Sequence, residues 1–239
     1  MMIDDDDLLK DFVNESREHL ATIEADLLTI EEGGADIDEQ LVNKVFRAAH
    51  SIKGGSGFFG LEKVKELAHR AETVLDMLRS RKIIPNAEVT NILLAAFDKL
   101  REMINDTAGS AEADIADLVV GLTGLASSFL PAEQKASLQS QVTLEGPADL
   151  GQVTIPQTDL DRARRQGQYV YWIDCDLIHD IEQQGQSILT LFKDLSSAGD
   201  VLDCAVDYDV VGTLDDSFGN RLPLRLVVAT NLAPELVGG

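Results

Sequence analysis

The stretch Ala48-Ala49-His50-Ser51-Ile52-Lys53-Gly54-Gly55-Ser56-Gly57-Phe58-Phe59-Gly60 decides how this chain is read. It closes an amphipathic helix and passes into a run of small residues. Positions three and four apart share a helix face, so Lys53 and Gly54 both lie one turn beyond His50. The imidazole therefore has an ammonium group beside it and a neighbour with no side chain to cover it. The helix begins near Asp38, a good N-cap, and buries Leu41, Val42, Val45, Ala49 and Ile52. His50 is offset from that stripe, on the side of Asn43, Arg47 and Lys53. The spacing places it at the edge or the outside of the core.

Upstream, Leu9, Val13, Leu20, Ile23, Leu27 and Ile30 recur at threes and fours, with one gap at Ser16, and predict one helix ended by Glu31-Glu32-Gly33-Gly34. Asp4 to Asp7 precede it, where acids complement the positive end of a helix dipole. After Gly60, Val64, Leu67, Ala68, Ala71, Val74, Leu75 and Leu78 predict a further helix, with Lys65, His69, Glu72 and Asp76 aligned on its other side. Beyond Ile84-Pro85-Asn86 another runs through Val89, Ile92, Leu93, Ala96, Phe97, Leu100 and Ile104. A last amphipathic segment spans about Glu112 to Phe129. Five helices with short connections over residues 4–130 predict an all-α antiparallel bundle.

Residues 131–167 are polar, rich in Gln, Ser and Thr, and contain Pro131, Pro147 and Pro156. They predict a flexible linker. Residues 168–239 then predict a small α+β domain. Tyr169 to Ile173, Val201 to Val206 and Leu222 to Thr230 have strand composition. Ile181, Ile188, Leu189, Phe192 and Leu195 mark a helix after the first strand, and Pro234 opens another. This β-α-β-β order stops where a further α-β would complete a split sandwich. A sheet lacking its last strand leaves an unpaired edge, so the chain is expected to be a fragment of a longer polypeptide.

Formal charge is −22, from 42 acids against 20 bases. Such a field repels polyphosphate and speaks against non-specific nucleic-acid binding. Cys175 and Cys204 are the only cysteines and make no secreted disulfide framework. The acidic start is unlike a signal peptide, and no stretch approaches the roughly 18 consecutive apolar residues of a membrane span. A cytoplasmic protein without membrane insertion is expected.

A neutral imidazole attacks a phosphoryl group through one ring nitrogen when the other donates its proton to an acceptor. Glu72, on the helix that follows through a short connection, is the candidate acceptor. Lys53 can neutralise part of the phosphoryl charge, and Gly54 keeps the approach open. Glycines at a C-cap and turn account for one or two of those present. Gly54, Gly55 and Gly57 inside a helix disfavour it by up to about 1 kcal/mol each.

The segment Ala49 to Gly60 resembles the phosphoacceptor motif of the histidine phosphotransfer (Hpt) domain, in the form found at the N-terminus of CheA-type chemotaxis kinases. Ala68-His69-Arg70-Ala71-Glu72 resembles the stretch where that family keeps a second histidine and a glutamate. The resemblance covers about residues 4–130. It implies that His50 is phosphorylated, that Glu72 is its hydrogen-bond partner, and that Lys53 and His69 assist. The implied partners are a kinase catalytic domain, in the same parent chain or in trans, and the receiver domain of a response regulator. ATP and Mg²⁺ are then supplied by partner domains, and the bundle needs no cofactor. Residues 169–236 resemble, more weakly, the ferredoxin-like domain that follows the phosphotransfer domain in many such kinases and in some docks the response regulator; no residue here carries such a role. The asparagine and glycine boxes of the kinase ATP site are not found in the sequence, nor is a dimerisation helix pair beyond the bundle. Whether the fragment is itself an enzyme is thus left open.

Three other readings compete. A metalloenzyme in a helical bundle has only His19, His50, His69 and His179 to draw on, with no His-Glu-x-x-His. A nucleotide loop at Lys53 to Gly57 has its lysine ahead of the glycines, reversing the phosphate-cradling order. A scaffold that docks partners without chemistry fits two domains joined by a linker.

Overall fold

The computed structural model describes residues 5–130, 140–146, 152–182, 198–207 and 221–237, with 185, 190, 191, 194, 195 and 210 as isolated positions. They fall into two compact units, Met1–Leu138 and Gln139–Gly239.

The first unit is a helical bundle: α1 (Asp5–Leu20), α2 (Ile23–Gly33), α3 (Glu39–Phe58), α4 (Glu62–Arg79), α5 (Ala87–Asn105) and α6 (Ala116–Ser128), with a 3-10 turn at Ser110–Glu112. The single helix expected over residues 9–30 is two. The spacing hides the break, because Leu20, Ile23, Leu27 and Ile30 stay in step across it and all enter one core. The groups that make the break lie on other helices. Arg101 of α5 donates to the Leu20 carbonyl at 3.0 Å. Lys44 of α3 donates to Thr22 Oγ1 at 2.9 Å and pairs with Asp26 at 2.6 Å. Thus the orphan carbonyl at the end of α1 is satisfied by tertiary contact.

Asp38 caps α3 as expected, its carboxylate accepting from the Gln40 and Leu41 amides at 2.9 and 3.2 Å. Asn86 does the same for α5 through the Val89 amide at 3.0 Å. Helix α3 does not yield to a turn at its glycines. It runs through Gly54, Gly55 and Gly57 and ends only at Phe58. The Leu61 amide then bonds the Ser56 carbonyl at 2.9 Å and the Gly60 amide that of Gly57 at 3.4 Å, with Gly60 at φ +64°. That is the Schellman arrangement, which needs a left-handed residue.

A glycine at 55 answers a packing demand. A Cβ built there would lie 2.5 Å from Cε2 of Phe12, the buried ring by which α1 meets α3. Phe12 in turn packs on Phe59, ring centroids 5.2 Å apart. The core is mostly aliphatic and draws on α1 to α6, with Ala49 and Ile52 in one buried cluster with Leu67, Ala71, Val74, Leu93, Phe97 and Leu100. Helices α3 and α4 form the most extensive helix pair.

The second unit contains a hairpin, β1 (Gln141–Glu145) with β2 (Gln152–Pro156), and then α7 (Gln157–Arg165). This corrects the linker expected over 131–167: of it, 141–145 and 152–165 are regular structure, while 131–139 lie outside the described residues. Val142, Leu144, Val153 and Ile155 alternate with polar residues in strands of five, and α7 offers only Leu160 and Ala163 as buried apolar residues. Segments so short and polar-dominated give almost no periodic signal. They become ordered by joining a core with Leu202, Val227 and Ala229.

Three strands follow, β3 (Tyr169–Asp176), β4 (Gly199–Val206) and β5 (Pro223–Thr230), in the order β3-β5-β4. Both outer strands are antiparallel to β5 and so run parallel to each other, as a split β-α-β requires. A π-helical turn, Leu177–Glu182, leaves β3, and the short α8 (Pro234–Val237) follows β5. The expected helix through Ile188, Leu189 and Phe192 falls outside the described residues. Cys175 and Cys204, on β3 and β4, form no disulfide. Burial, reinforced by Asp180, Asp174 and Asp176, pushes the Cys175 thiol up to about 11.

Asp176 ends β3 and ties it to the start of β5. Its burial opposes ionisation, but bonds from the Leu222 amide, His179, the Ile178 amide and Arg221 outweigh this and hold its carboxyl well below the usual range.

Two predictions arise from this packing. Gly55→Ala gains up to about 1 kcal/mol in helix propensity but overpacks Phe12, a strain of about 1–3 kcal/mol. The variant should unfold at lower urea by circular dichroism, whereas in a Phe12→Ala background the same change should stabilise. Trp172 of β3, the only tryptophan, reports on the second unit. A carboxyl held low stabilises the fold above its ordinary pKa of about 4 and loses that contribution as pH falls. The urea midpoint by Trp172 fluorescence should therefore drop below about pH 4, and Asp176→Asn should lower it at pH 7 and flatten the acid limb.

Candidate functional site

The face shared by α3 and α4 carries the polar residues singled out in the sequence. Antiparallel packing sets the turn of α3 that holds His50 and Lys53 against the turn of α4 that holds Glu72. His50 Nδ1 lies 3.1 Å from Glu72 Oε1, and Lys53 Nζ lies 2.9 Å from Glu72 Oε2. A single carboxylate thus serves the imidazole and the ammonium, one per oxygen. His69, one turn before Glu72 on α4, is buried on the same helix face, and its carbonyl accepts from Thr73 Oγ1 at 2.9 Å. Gly54 is half-buried on α3, one turn beyond His50.

Of the edge or the outside of the core, the two places the spacing allows His50, the outside is ruled out. His50 is 5% exposed, Lys53 3% and Glu72 0%. The cover comes from two side chains that spacing alone had not marked. Phe46, one turn before His50, lies parallel to its ring at a centroid distance of 6.0 Å and an interplanar angle of 11°. Arg79 of α4 sits over Phe46, 4.1 Å from the ring centroid, and is held by Asp76 at 2.8 Å. The signal was present in the sequence as matched spacings: 46 to 50 on one helix and 72 to 76 to 79 on its antiparallel neighbour. Only the pairing of α3 with α4 makes them one column.

The electrostatics follow from the donor inventory. A carboxylate accepts and cannot donate, so the proton of the imidazole resides on Nδ1 and the lone pair on Nε2. Ring orientation and tautomer are thereby fixed together. The ammonium on Oε2 neutralises the carboxylate where water cannot. Such a site can present a neutral nitrogen nucleophile and stabilise the cation that forms when that nitrogen is substituted. Among the described residues no group of three or more His, Cys, Asp or Glu side chains is placed to hold a metal ion. No helix there is long and apolar enough to cross a membrane.

Residues 7–109 match the family model of the Hpt domain. Over these residues the chain is similar to Hpt domains. The chemotaxis protein CheA of Rhizobium meliloti (strain 1021) is 42% identical over 123 residues, which are 50% of this chain and 16% of that protein. The chemotaxis protein CheA of Bacillus subtilis (strain 168) is 29% identical over 206 residues, 85% of this chain and 30% of that protein, so the likeness extends beyond the Hpt domain. Among solved structures, the phosphorylated P1 domain of CheA3 in complex with CheY6 from R. sphaeroides is 26% identical, covers 52% of this chain and 99% of that chain, and superposes with a TM-score of 0.46. The chain thus spans between 16% and 30% of the length of these two curated relatives.

Removing one member of a buried ionic cluster strands the others, at a typical cost of about 3–5 kcal/mol. Glu72→Ala should accordingly unfold at markedly lower urea, by far-UV circular dichroism, because Lys53 is left buried without its carboxylate. Adding Lys53→Met should recover part of that loss. A double variant no more stable than Glu72→Ala would show that the cluster is not a coupled unit.

Proposed function

We propose that this chain is a phosphocarrier of a chemotaxis-type two-component relay, with His50 as the residue charged. The observation that carries the reading is the buried carboxylate of Glu72 shared between His50 Nδ1 and Lys53 Nζ. With Glu72 on Nδ1, the ring carries its proton there and its lone pair on Nε2. The Hpt family match over residues 7–109 and the likeness to CheA proteins support the same reading.

In the charging step Nε2 attacks the γ-phosphorus of ATP held by a kinase catalytic domain. A P–N bond forms, the bond to ADP oxygen breaks, and the ring becomes cationic with Nδ1–H still directed at Glu72. Lys53 tempers the added negative charge. In the discharging step a receiver-domain aspartate of a response regulator attacks the phosphorus, a P–O bond replaces the P–N bond, and the imidazole returns to neutral. ATP and Mg²⁺ belong to the partners, so the Hpt domain needs no cofactor of its own. Gly54 leaves the approach to the ring open, and His69 assists from α4. These exchanges belong to the cytoplasm, where ATP and response regulators meet.

The phosphotransfer unit is residues 4–130. The following α+β unit has no role assigned in the transfer itself.

The test uses radiolabelled ATP and the kinase region of a chemotaxis CheA protein. The chain should take up an acid-labile, alkali-stable label, linked through Nε2 by NMR of the phosphohistidine. His50→Gln should abolish uptake, and Glu72→Gln should slow it about a hundredfold, the scale of a lost proton-positioning group. Labelling of His50→Gln at the wild-type rate would remove His50 from the mechanism.

A further inference from the structure

The second unit repeats the arrangement at His50 with different residues. At the end of β3 the carboxylate of Asp176, itself 5% exposed, divides its two oxygens between two tasks. Oδ1 serves the backbone, accepting from the Ile178, Leu222 and His179 amides at 3.1, 3.2 and 3.4 Å. That alone satisfies the turn leaving β3 and the entry to β5. Oδ2 does something a cap does not need. It lies 2.9 Å from His179 Nδ1 and accepts from Arg221 Nε at 3.1 Å.

The parallel with the bundle is chemical. In each place a buried carboxylate meets Nδ1 of a histidine and, with the same group, a permanent cation. In each place Nδ1 therefore carries the proton and Nε2 the lone pair. The difference is access. The His179 side chain is 41% exposed and that of Arg221 68%. Because Nε of Arg221 is engaged on Asp176, its two terminal amino groups remain to meet an anion at the same spot. Asp180 accepts from the Asp176 amide at 2.7 Å, which points its carboxylate into the turn.

We propose that His179 is a second phosphoryl-accepting imidazole, which takes a phosphoryl group from a donor of the phosphoramidate class on Nε2 while Asp176 holds Nδ1 and Arg221 screens the incoming charge. The P–N bond of the donor breaks and its amine departs with a proton, while a new P–Nε2 bond forms. The ring acquires a positive charge that Asp176 balances through Nδ1–H. No oxidant, metal or nucleotide is needed. The inference stands apart from the reading of His50, since it concerns other residues in the other unit.

The test is done on the full chain carrying His50→Gln, with phosphoramidate as the donor and peptide mass spectrometry as the readout. His19, with a side chain 38% exposed and only a distant Glu15 at 3.9 Å, is the control within the same molecule. His179 should be phosphorylated at least about tenfold faster than His19, a difference of about 1.4 kcal/mol in barrier. Arg221→Gln, a change at an exposed side chain, should reduce the His179 rate at least threefold and leave His19 unaffected. Asp176→Asn, in protein shown to be folded by Trp172 fluorescence, should bring His179 down to the His19 rate. Equal rates at His179 and His19 in the His50→Gln chain, or an Arg221→Gln rate equal to that of its parent, would overturn the proposal. Neither result bears on kinase-dependent labelling of His50.

Discussion

Glu72 is the residue on which the arrangement of the first unit turns. A carboxylate with no exposed surface is tolerated only where its charge is balanced, and here Lys53 pairs with Oε2 while His50 bonds Oε1. The same bonds that make Glu72 tolerable define the state of the imidazole. Structural need and chemical readiness are met by one set of contacts, so α3 and α4 must keep their register to within a fraction of a turn. The aliphatic core beneath them supplies that register. Phe46, beside the His50 ring and with Arg79 over it, forms one side of the site.

The glycines of α3 acquire a different meaning from the one that spacing suggests. They sit in the helix, at the loss of helix propensity that glycine brings. Gly55 is needed because α1 crosses there with the Phe12 ring against the backbone. Gly60 is needed because the helix ends in a left-handed residue. The run thus answers a packing demand and a capping demand, and α1 is anchored to the helix that bears the histidine.

The second unit is built on a related economy. Asp176 joins the end of β3, the turn after it and the start of β5 through one buried carboxylate. Like Glu72, it is affordable because cations and amides surround it. Unlike Glu72, it holds its histidine at the surface. The hairpin and α7 that precede the sheet belong to the same core, although their sequence reads as a polar connection.

Much of this was legible in the chain itself. Spacing along α3 and α4 determined which residues share a face, and therefore that His50, Lys53 and Glu72 could meet; Asp38 determined where α3 starts. Strands at 169–173, 201–206 and 222–230 were legible from apolar, β-branched runs, and the structure draws them as 169–176, 199–206 and 223–230. Tertiary structure alone decided that His50 is buried, that the first helix breaks between Leu20 and Ile23, and that 141–145 and 152–165 are folded. The physical reason is common to all three. Periodicity reports one element's own faces, whereas burial, a satisfied helix end and a marginal hairpin depend on groups supplied by another element: Arg79 over Phe46, Arg101 on the Leu20 carbonyl, and Leu202 and Val227 beneath Ile155.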